Sequence, residues 1–233
     1  TEIVEVTTYR IESKYTDKRH PDEVRFAKTL EEDLSRRDFT INALALKIKP
    51  HRPIGTSPQK GEDNLFEIID PFEGQKDLKK KNIRAVGKAD DRFNEDALRM
   101  MRAIRFAVQL GFEIEKETLR AITKNAKNLK YISQERICDE FEKIILSSQP
   151  AKGIKLLYET GLLFKFIPEM KEAVGVEQGF HHYDGPYRFV FDHLVASLEK
   201  CPSEKLEVRL ACLFHDIGKP KTKGGSGKAT TFY

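Results

Sequence analysis

The chain has 233 residues, of which 39% are hydrophobic and 33% are charged. This balance is typical of a folded protein with a substantial core, and it excludes a disordered or fibrous chain. No apolar run approaches the ~18 residues of a membrane span, and the first residues lack the basic and apolar regions of a signal peptide. The net charge of +4, from 41 basic and 37 acidic residues, permits nucleic-acid binding without indicating it.

The cysteine pattern favours a reducing compartment. Cys138, Cys201 and Cys212 are odd in number, far apart and outside any CxxC spacing. A disulfide framework or a cysteine zinc site is therefore not expected, and the cytoplasm is the natural location. The chain starts without Met and in a strand-like run, which predicts that it is a fragment.

The N-terminal part predicts strands and a short helix. Residues 3–11 are rich in β-branched and aromatic residues and predict a strand, and residues 66–70 predict a second one that ends in a turn. Thr29 followed by Glu32 has the spacing of a capping box and predicts a helix start. Residues 38–46 fit a helix or a buried strand, since periodicity alone does not separate the two.

From about residue 91 onward the pattern is helical. One helix is predicted from Asn94 to Leu110, with Gly111 as its C-cap. Further helices are predicted over residues 116–126, 133–148, 150–161, 190–200 and 203–215. The expected fold class is α+β, mostly α.

The first motif that could carry chemistry is Arg36-Arg37-Asp38, which runs into a segment that contains Asn42. Two guanidiniums beside a carboxylate suit a site that grips phosphates and a ribose, because Arg donates to phosphate in bidentate fashion and Asp accepts from sugar hydroxyls. A surface Arg–Asp pair near a helix end is the alternative, and the motif taken alone favours it.

The second motif is an acidic pair followed by three arginines at a spacing of three: Glu95-Asp96, Arg99, Arg102 and Arg105. On one helix these residues lie on neighbouring sides, so Asp96 and Arg99 could present an acceptor and a donor fork to one nucleobase. Arg102 and Arg105 would follow along the same stripe and suit phosphates. The alternative is a solvated charged face with an ion pair.

The third motif is His215-Asp216, with His193 some twenty residues upstream. An adjacent His-Asp at a helix end, with a second His on a neighbouring helix, has the character of a metal site. A structural cluster without metal explains the same residues equally well.

In their order, the motifs resemble the class II tRNA nucleotidyltransferases, which include CCA-adding enzymes and bacterial poly(A) polymerases. The resemblance covers residues 1–175. It rests on the runs EVTTYR at 5–10, RRDFTINA at 36–43, DP…G…DL at 70–78 and RFxEDxxR at 92–99. The C-terminal stretch resembles an HD domain.

The resemblance implies a division into four parts. These are the C-terminal part of a nucleotidyltransferase head (1–70), a helical neck that reads the nucleobase (71–128), a helical RNA-binding body (129–175) and a partial HD domain (176–233). The body motif includes Arg136 and Glu140, and its implied role is structural.

The resemblance also implies partners and roles for single residues. The partners are CTP, ATP and tRNA, and the base is read by Asp96 and Arg99. The implied nucleotide-binding residues are Arg36, Arg37, Asp38, Asn42, Asp96, Arg99, Arg102 and Arg105. In the HD segment, His193, His215 and Asp216 would hold a second divalent metal.

One departure from the family concerns the catalytic metal. Family members carry an Asp-x-Asp pair that binds Mg²⁺, and no such pair occurs at the corresponding place before the first motif. Glu5 is the candidate for a third metal-site carboxylate, and an exposed strand glutamate explains it as well. The chain alone is therefore expected to be inactive, with the missing head strands supplied by another segment or a second polypeptide.

Three functions stay open at this point. The first is nucleotide addition to the 3′ end of tRNA, and the sequence does not separate CCA addition from C-only, A-only or poly(A) addition. The second is a metal-dependent phosphohydrolase centred on the histidine motif. The third is a non-catalytic tRNA-binding module, which the basic run over residues 76–81 favours.

Overall fold

The structure is a computed structural model, and it describes residues 6–13, 23–48, 66–179, 187–226 and 229–232. Within these residues the fold is α+β and mostly helical, as the sequence predicts. No helix in the described part is long and apolar enough to cross a bilayer. Glu5, the predicted third metal-site carboxylate, lies outside the described residues.

The strands are short and form two-stranded pairs. In chain order the strands are β1 (Arg10–Ser13), β2 (Glu23–Phe26), β3 (Ala45–Ile48), β4 (Phe66–Ile69), β5 (Asn82–Ile83), β6 (Glu113–Ile114), β7 (Lys223–Gly224) and β8 (Thr231–Phe232). Among the described residues, β1–β2, β3–β4 and β7–β8 pair antiparallel, whereas β5–β6 pairs parallel.

The helices make up most of the chain after residue 70. They are α1 (Leu30–Ser35), α2 (Gly74–Lys80), α3 (Ala89–Glu95), α4 (Leu98–Leu110), α5 (Lys116–Asn125), α6 (Gln134–Ile145), α7 (Pro150–Glu159), α8 (Leu163–Phe166), α9 (Glu169–Glu172), α10 (Val190–Glu199), α11 (Leu206–Phe214) and α12 (Lys219–Thr222). Two 3₁₀ segments, Thr40–Asn42 and Ala126–Tyr131, lie between them. The five helices predicted after residue 111 are confirmed as α5, α6, α7, α10 and α11, with slightly shorter bounds.

Local signals in the N-terminal part are confirmed at α1 and β4. The Glu32 N–H donates to Thr29 Oγ1 at 3.2 Å, and the Thr29 N–H donates to Glu32 Oε2 at 3.2 Å, which completes the capping box. The strand predicted over residues 3–11 is wrong in its bounds, because residues 6–9 are irregular and β1 begins at Arg10.

The segment 38–46 is neither one helix nor one strand. Phe39 forms an isolated bridge with Ala85, and the Thr40 N–H donates to the Arg84 carbonyl at 2.9 Å. A single 3₁₀ turn then leads into β3. The long-range pairing with residues 84–85, which no local pattern reveals, sets this conformation.

The helix predicted from Asn94 to Leu110 is interrupted at Asp96. Asp96 has an extended backbone (φ −138°, ψ 107°), and its carboxylate accepts from the Leu98 N–H at 3.0 Å. The side chain thereby satisfies one of the free N–H groups at the start of α4. Gly111 ends α4 in the left-handed conformation, as predicted.

One hydrophobic core runs through the helical part. Met100, Met101 and Ile104 of α4 are fully buried, and α4 packs against α6 and α7. Helices α6 and α7 approach closely at Gly153, where a Cβ would lie 2.4 Å from Ile144 Cγ2. The same core includes Leu213 of α11, so it crosses the boundaries predicted near residues 128 and 175, which stay a prediction.

Candidate functional site

A polar pocket of about 640 Å³ lies where α1 and the turn after it meet the start of α4. Seven of the eight residues predicted to bind nucleotide line it. The lining comprises Arg10, Arg36, Arg37, Asp38, Asn42, Asp96, Leu98, Arg99, Arg102 and Arg136. We call this the arginine pocket. Six guanidiniums and two carboxylates line it, and two carboxylates behind the lining, Asp33 and Glu95, pair with three of the arginines; the remaining positive charge favours anions.

Asp33 positions the first two arginines of the arginine pocket. Arg36 donates to Asp33 Oδ1 through Nε at 3.1 Å and through Nη2 at 2.9 Å, and Arg37 Nη2 lies 3.5 Å from Oδ2. Burial raises the pKa of Asp33, but hydrogen bonds from the Arg10 N–H and Arg36, with the charges of both arginines, outweigh burial and hold the pKa below its usual value. Asp33 therefore stays charged and keeps the guanidiniums in place.

Asp38 is a buried carboxylate held from two sides. Its Oδ2 accepts from Arg102 Nε at 2.7 Å and lies 2.6 Å from Arg102 Nη2. Its Oδ1 accepts from the Phe39 N–H at 2.9 Å and from Asn42 Nδ2 at 3.2 Å. A short loop and a distant helix thus fix the orientation of one acceptor inside the pocket.

The two predicted base-reading residues lie in the arginine pocket, and each is held by the protein. Asp96 Oδ2 accepts from Arg136 Nη2 of α6 at 2.8 Å. Arg99 donates to Glu95 Oε2 at 2.8 Å and to the carbonyl of Arg36 at 3.0 Å. An acceptor and a donor fork therefore face one cavity in fixed positions.

Arg105, the eighth predicted residue, does not line the pocket. Its Nη1 lies 3.0 Å from Glu140 Oε1, and its guanidinium carbon lies 4.3 Å from the centre of the Phe106 ring. Burial lowers the pKa of Arg105, against the opposing charge of Glu140. The pair joins α4 to α6 inside the protein, and the predicted phosphate contact of Arg105 stays a prediction.

Sequence reasoning missed the residues that position the site. Asp33 stands three and four residues before Arg36 and Arg37, and this helical spacing was the signal for an ion pair. Arg136 was assigned to a structural motif, and Arg10 to a strand motif. Both line the pocket, because α6 and β1 converge on it.

The DP…G…DL motif holds in place the turn that follows the RRD motif, although its own residues do not line the pocket. Asp70 accepts from the N–H of Gly74 at 2.6 Å and so caps α2. Asp77 accepts from Thr40 Oγ1 at 2.7 Å and from Arg84 Nε at 2.8 Å. Burial raises the pKa of Asp77, but these bonds and the Arg84 charge outweigh it and lower the pKa. Asp77 therefore fastens the turn that carries Asn42.

The histidine motif forms a second cluster away from the arginine pocket. The Nε2 atoms of His193 and His215 are 3.1 Å apart, and Asp216 Oδ2 lies 3.1 Å from His215 Nε2. The Lys219 Nζ also contacts Asp216 Oδ2, at 2.7 Å. The three predicted metal ligands thus offer atoms within 4.8 Å of one another, and among the described residues no fourth ligand joins them.

Two family models match segments of the chain. Residues 1–84 match the poly A polymerase head domain. Residues 111–174 match the family described as a probable RNA and SrmB-binding site of polymerase A. These two segments flank residues 92–102, which carry the second motif of the arginine pocket.

Curated relatives of the chain include CCA-adding enzymes. The chain is 51% identical over 152 residues to one from Leuconostoc mesenteroides, which covers 65% of this chain and 34% of the relative. It is 52% identical over 158 residues to one from Pediococcus pentosaceus, which covers 68% of this chain and 36% of the relative. The chain therefore spans about a third of the curated relatives it matches.

The fold resembles solved structures of the same kind. The Bacillus stearothermophilus CCA-adding enzyme in complex with CTP is 34% identical with a TM-score of 0.63, over 92% of this chain and 45% of that one. The fold and the pocket thus point to a nucleotidyltransferase. Together the similarities support placing the chain with the class II tRNA nucleotidyltransferases, among relatives that are CCA-adding enzymes.

Proposed function

We propose that this chain is the nucleotide-selecting and RNA-holding part of an enzyme that adds C and A to the 3′ end of tRNA. The observation that carries the proposal is the arginine pocket, in which residues from β1, the segment after α1, the start of α4 and α6 converge on one cavity. Its similarity to an enzyme solved with CTP supports a nucleoside triphosphate as the ligand.

The triphosphate would lie against Arg36, Arg37 and Arg102. Guanidiniums bind phosphate oxygens in bidentate fashion, and the pocket presents them already paired with Asp33 and Asp38. The oriented Asp38 carboxylate would accept from a ribose hydroxyl. Preformed geometry of this kind reduces the side-chain entropy lost on binding.

The base would lie against Asp96 and Arg99. Cytosine N4 and adenine N6 are exocyclic amino donors, and a carboxylate accepts from either. The ring nitrogen next to the amino group, N3 of cytosine or N1 of adenine, accepts from a guanidinium. One acceptor and one donor fork can therefore select C and A against U and G, whose corresponding edges carry a carbonyl.

The pocket residues do not fit the divalent metal that CCA-adding enzymes require. Asp38 and Asp96 are each ion-paired with an arginine, and six guanidiniums line the same cavity. Cation binding there would oppose the local charge. The metal would be held by other residues, and Glu5 stays our proposal for one of them, so the chain alone is expected not to catalyse transfer.

A chimaera tests the proposal. The head segment that precedes the matched region in the Leuconostoc enzyme is fused in front of this chain, and the fusion is incubated with tRNA that lacks its 3′ end, labelled CTP or ATP, and Mg²⁺. We expect the fusion to incorporate C and A, and the chain alone to incorporate neither. Asp96→Ala in the fusion should change which nucleotide is added, whereas Asp139→Ala, an exposed aspartate on α6, should not.

Two outcomes would contradict this function. A folded fusion that binds tRNA but adds no nucleotide would favour the non-catalytic module. An Asp96→Ala fusion with unchanged choice of nucleotide would show that the base is read elsewhere.

A second candidate function rests on the histidine cluster. Three potential ligands within 4.8 Å of one another favour a divalent metal and a metal-dependent phosphohydrolase. Mn²⁺ or Ni²⁺ should then raise the melting temperature of the chain, and His193→Ala should abolish this effect. Metal-independent melting, with no hydrolysis of a phosphomonoester, would leave a structural cluster.

A further inference from the structure

A cleft of about 540 Å³ lies between α7 and α10. The turn after α9 and the segment before α10 complete its walls. Four aromatic side chains line it, and we call it the aromatic cleft: Tyr158, Tyr187, Phe189 and Phe191. None of the residues that line the arginine pocket or form the histidine cluster belongs to this lining. The aromatic cleft is therefore a third concave site on the chain.

The buried part of the cleft lining is apolar. Phe191, Val195 and Ala196 of α10 are each less than a tenth exposed. The Tyr158 ring packs against Phe191 with centroids 4.9 Å apart and meets the edge of Phe164 at 5.6 Å. Tyr158 is thus held in place, yet it stays 36% exposed. The face of an aromatic ring carries partial negative charge and attracts cations within about 6 Å of its centre.

Three exposed carboxylates line the same cleft: Glu159 from α7, and Asp192 and Glu199 from α10. Within the described part of the chain, none of the three forms an ion pair with a basic side chain. Their charges are therefore free to act on a ligand in the cleft.

The basic groups near the cleft do not cancel these carboxylates. Lys155 is the single basic residue of the described lining. Lys200 Nζ lies 5.0 Å from the centre of the Tyr187 ring. Arg188, next to the cleft, is ion-paired with Glu177. Even with both lysines counted, the three carboxylates leave the cleft negative, so it favours a cation and disfavours a phosphate-bearing ligand.

The spacing along α10 indicates the shape of that cation. Asp192, Val195, Ala196 and Glu199 follow one another at intervals of three, one and three residues, and so they share one side of the helix. At a rise of 1.5 Å per residue, Asp192 and Glu199 stand about 10 Å apart along the axis. Glu159 belongs to the opposite helix. Charged, apolar and charged groups thus alternate along the cleft, which a single inorganic ion does not match.

We propose that the aromatic cleft binds a linear aliphatic polyamine. Its ammonium groups lie at Glu159, Asp192 and Glu199, and its methylene groups cover the apolar part of the lining. The Tyr158 ring adds a cation–π contact. This site takes a cation where the arginine pocket takes an anion, and it is independent of the function proposed for that pocket.

Calorimetry tests the proposal on the full chain with spermidine, a linear triamine. We expect one molecule to bind per chain, with an affinity that falls as the concentration of sodium chloride rises, because salt screens the ammonium–carboxylate attraction. Putrescine, a shorter diamine, should bind about fivefold more weakly, since it engages one carboxylate fewer. Mg²⁺ at an equal concentration should not displace spermidine.

Four variants separate the contributions of the ring and the charges. Tyr158→Leu should weaken spermidine binding about threefold, whereas Tyr158→Phe, which keeps the ring, should bind as wild type. Glu199→Gln should also lose about threefold. Glu142→Gln is the matched control, because Glu142 is an exposed carboxylate on α6 outside the cleft, and its affinity should not change.

Thermal melting of each variant guards against a loss of fold. Glu199 is exposed, so Glu199→Gln is expected to melt as wild type and decides the question even where Tyr158→Leu does not fold.

Four results would overturn the proposal. These are the absence of saturable spermidine binding, displacement of spermidine by Mg²⁺, equal affinities for the folded Tyr158→Leu and Tyr158→Phe variants, and equal losses for Glu199→Gln and Glu142→Gln. The last two would reduce the binding to a diffuse attraction between a cation and surface carboxylates.

Discussion

The arginine pocket and the histidine cluster are both concentrations of charge, and they are assembled in different ways. Contacts in the arginine pocket join residues that are far apart in the sequence. Arg102 and Asp38 are 64 positions apart, Arg99 and Arg36 are 63 apart, and Arg136 and Asp96 are 40 apart. The histidine cluster joins His193 and His215, which are 22 positions apart on packed helices. The first site therefore depends on the whole tertiary fold, and the second on α10, α11 and the turn after α11.

The two sites also differ in how their charges are balanced. In the arginine pocket Asp38 and Asp96 each pair with one lining arginine, and Asp33 and Glu95 pair with three more. Six lining guanidiniums thus face four carboxylates, and the net positive charge favours an anion. In the histidine cluster, His193, His215 and Lys219 all converge on one oxygen of Asp216. The arginine pocket therefore suits an anion, whereas the histidine cluster, in which three groups share one carboxylate oxygen, suits a cation.

Removal of Asp38 should have the largest effect, because it breaks the pocket and the fold together. Asp38→Ala leaves Arg102 and Asn42 without their acceptor and should lower the free energy of unfolding by about 2 kcal/mol. Urea denaturation followed by circular dichroism measures this loss. An unchanged midpoint would mean that the long-range pair contributes nothing to the fold.

Removal of Arg37 should separate binding from folding. Arg37 is half-exposed, so Arg37→Ala should leave the fold intact and weaken CTP binding about tenfold, the size of one charge-assisted hydrogen bond. Calorimetry with CTP measures this change. Lys124→Ala is the matched control, since Lys124 is also ion-paired, at 2.8 Å from Asp90, but lies away from the pocket. Equal loss in both variants would contradict a specific site.

Acid should lower the folding stability of the region around the arginine pocket, through protonation of Asp33 and Asp77. Both have a lowered pKa in the folded state, so the stability they give is present above the usual aspartate pKa and is lost as the pH falls through the lowered values. Asp33→Asn should cost about 1 kcal/mol at pH 7 and flatten this acid dependence. Melting temperatures between pH 7 and pH 3 measure it, and parallel curves for wild type and variant would contradict the assignment.

His193→Ala should have the smallest effect in the absence of metal. It should change the free energy of unfolding by less than about 0.5 kcal/mol and leave CTP affinity unchanged, because His193 belongs to the histidine cluster and does not line the arginine pocket. Denaturation and calorimetry on the same variant give both values. A change in CTP affinity would show that the two sites are energetically linked and would contradict their independence.

Much of the pocket could be predicted from the sequence, because its residues stand in short runs. The RRD motif supplies Arg36, Arg37 and Asp38, and the EDxxR motif supplies Asp96 and Arg99. Together with Asn42 and Arg102, these are seven of the lining residues. The helix start at Thr29 and the end at Gly111 followed from side chains within a few positions of each other. In the histidine cluster only His215 and Asp216 are neighbours in the sequence, whereas His193 stands 22 positions away and reaches them because α10 packs against α11.

The partners of these residues could not be predicted. The pair of Arg102 with Asp38 depends on the packing of α4 against the N-terminal part, and the pair of Arg136 with Asp96 depends on the packing of α6 against the start of α4. The break at Asp96 was missed because the apolar spacing continues on both sides of it. Arg105 has the same spacing as Arg102, yet it turns inward to Glu140. Residues three apart on a helix turn gradually around its axis. The spacing alone therefore does not show which arginine is covered by the neighbouring helix α6.

The most direct test of the central claim is an NMR titration of the ¹⁵N-labelled chain with CTP, ATP, UTP and GTP in turn. We expect saturable shifts for CTP and ATP at residues 36–42 and 96–102, weaker shifts for UTP and GTP, and none at His193 or His215. Shifts confined to the histidine cluster, or equal responses to all four nucleotides, would contradict it.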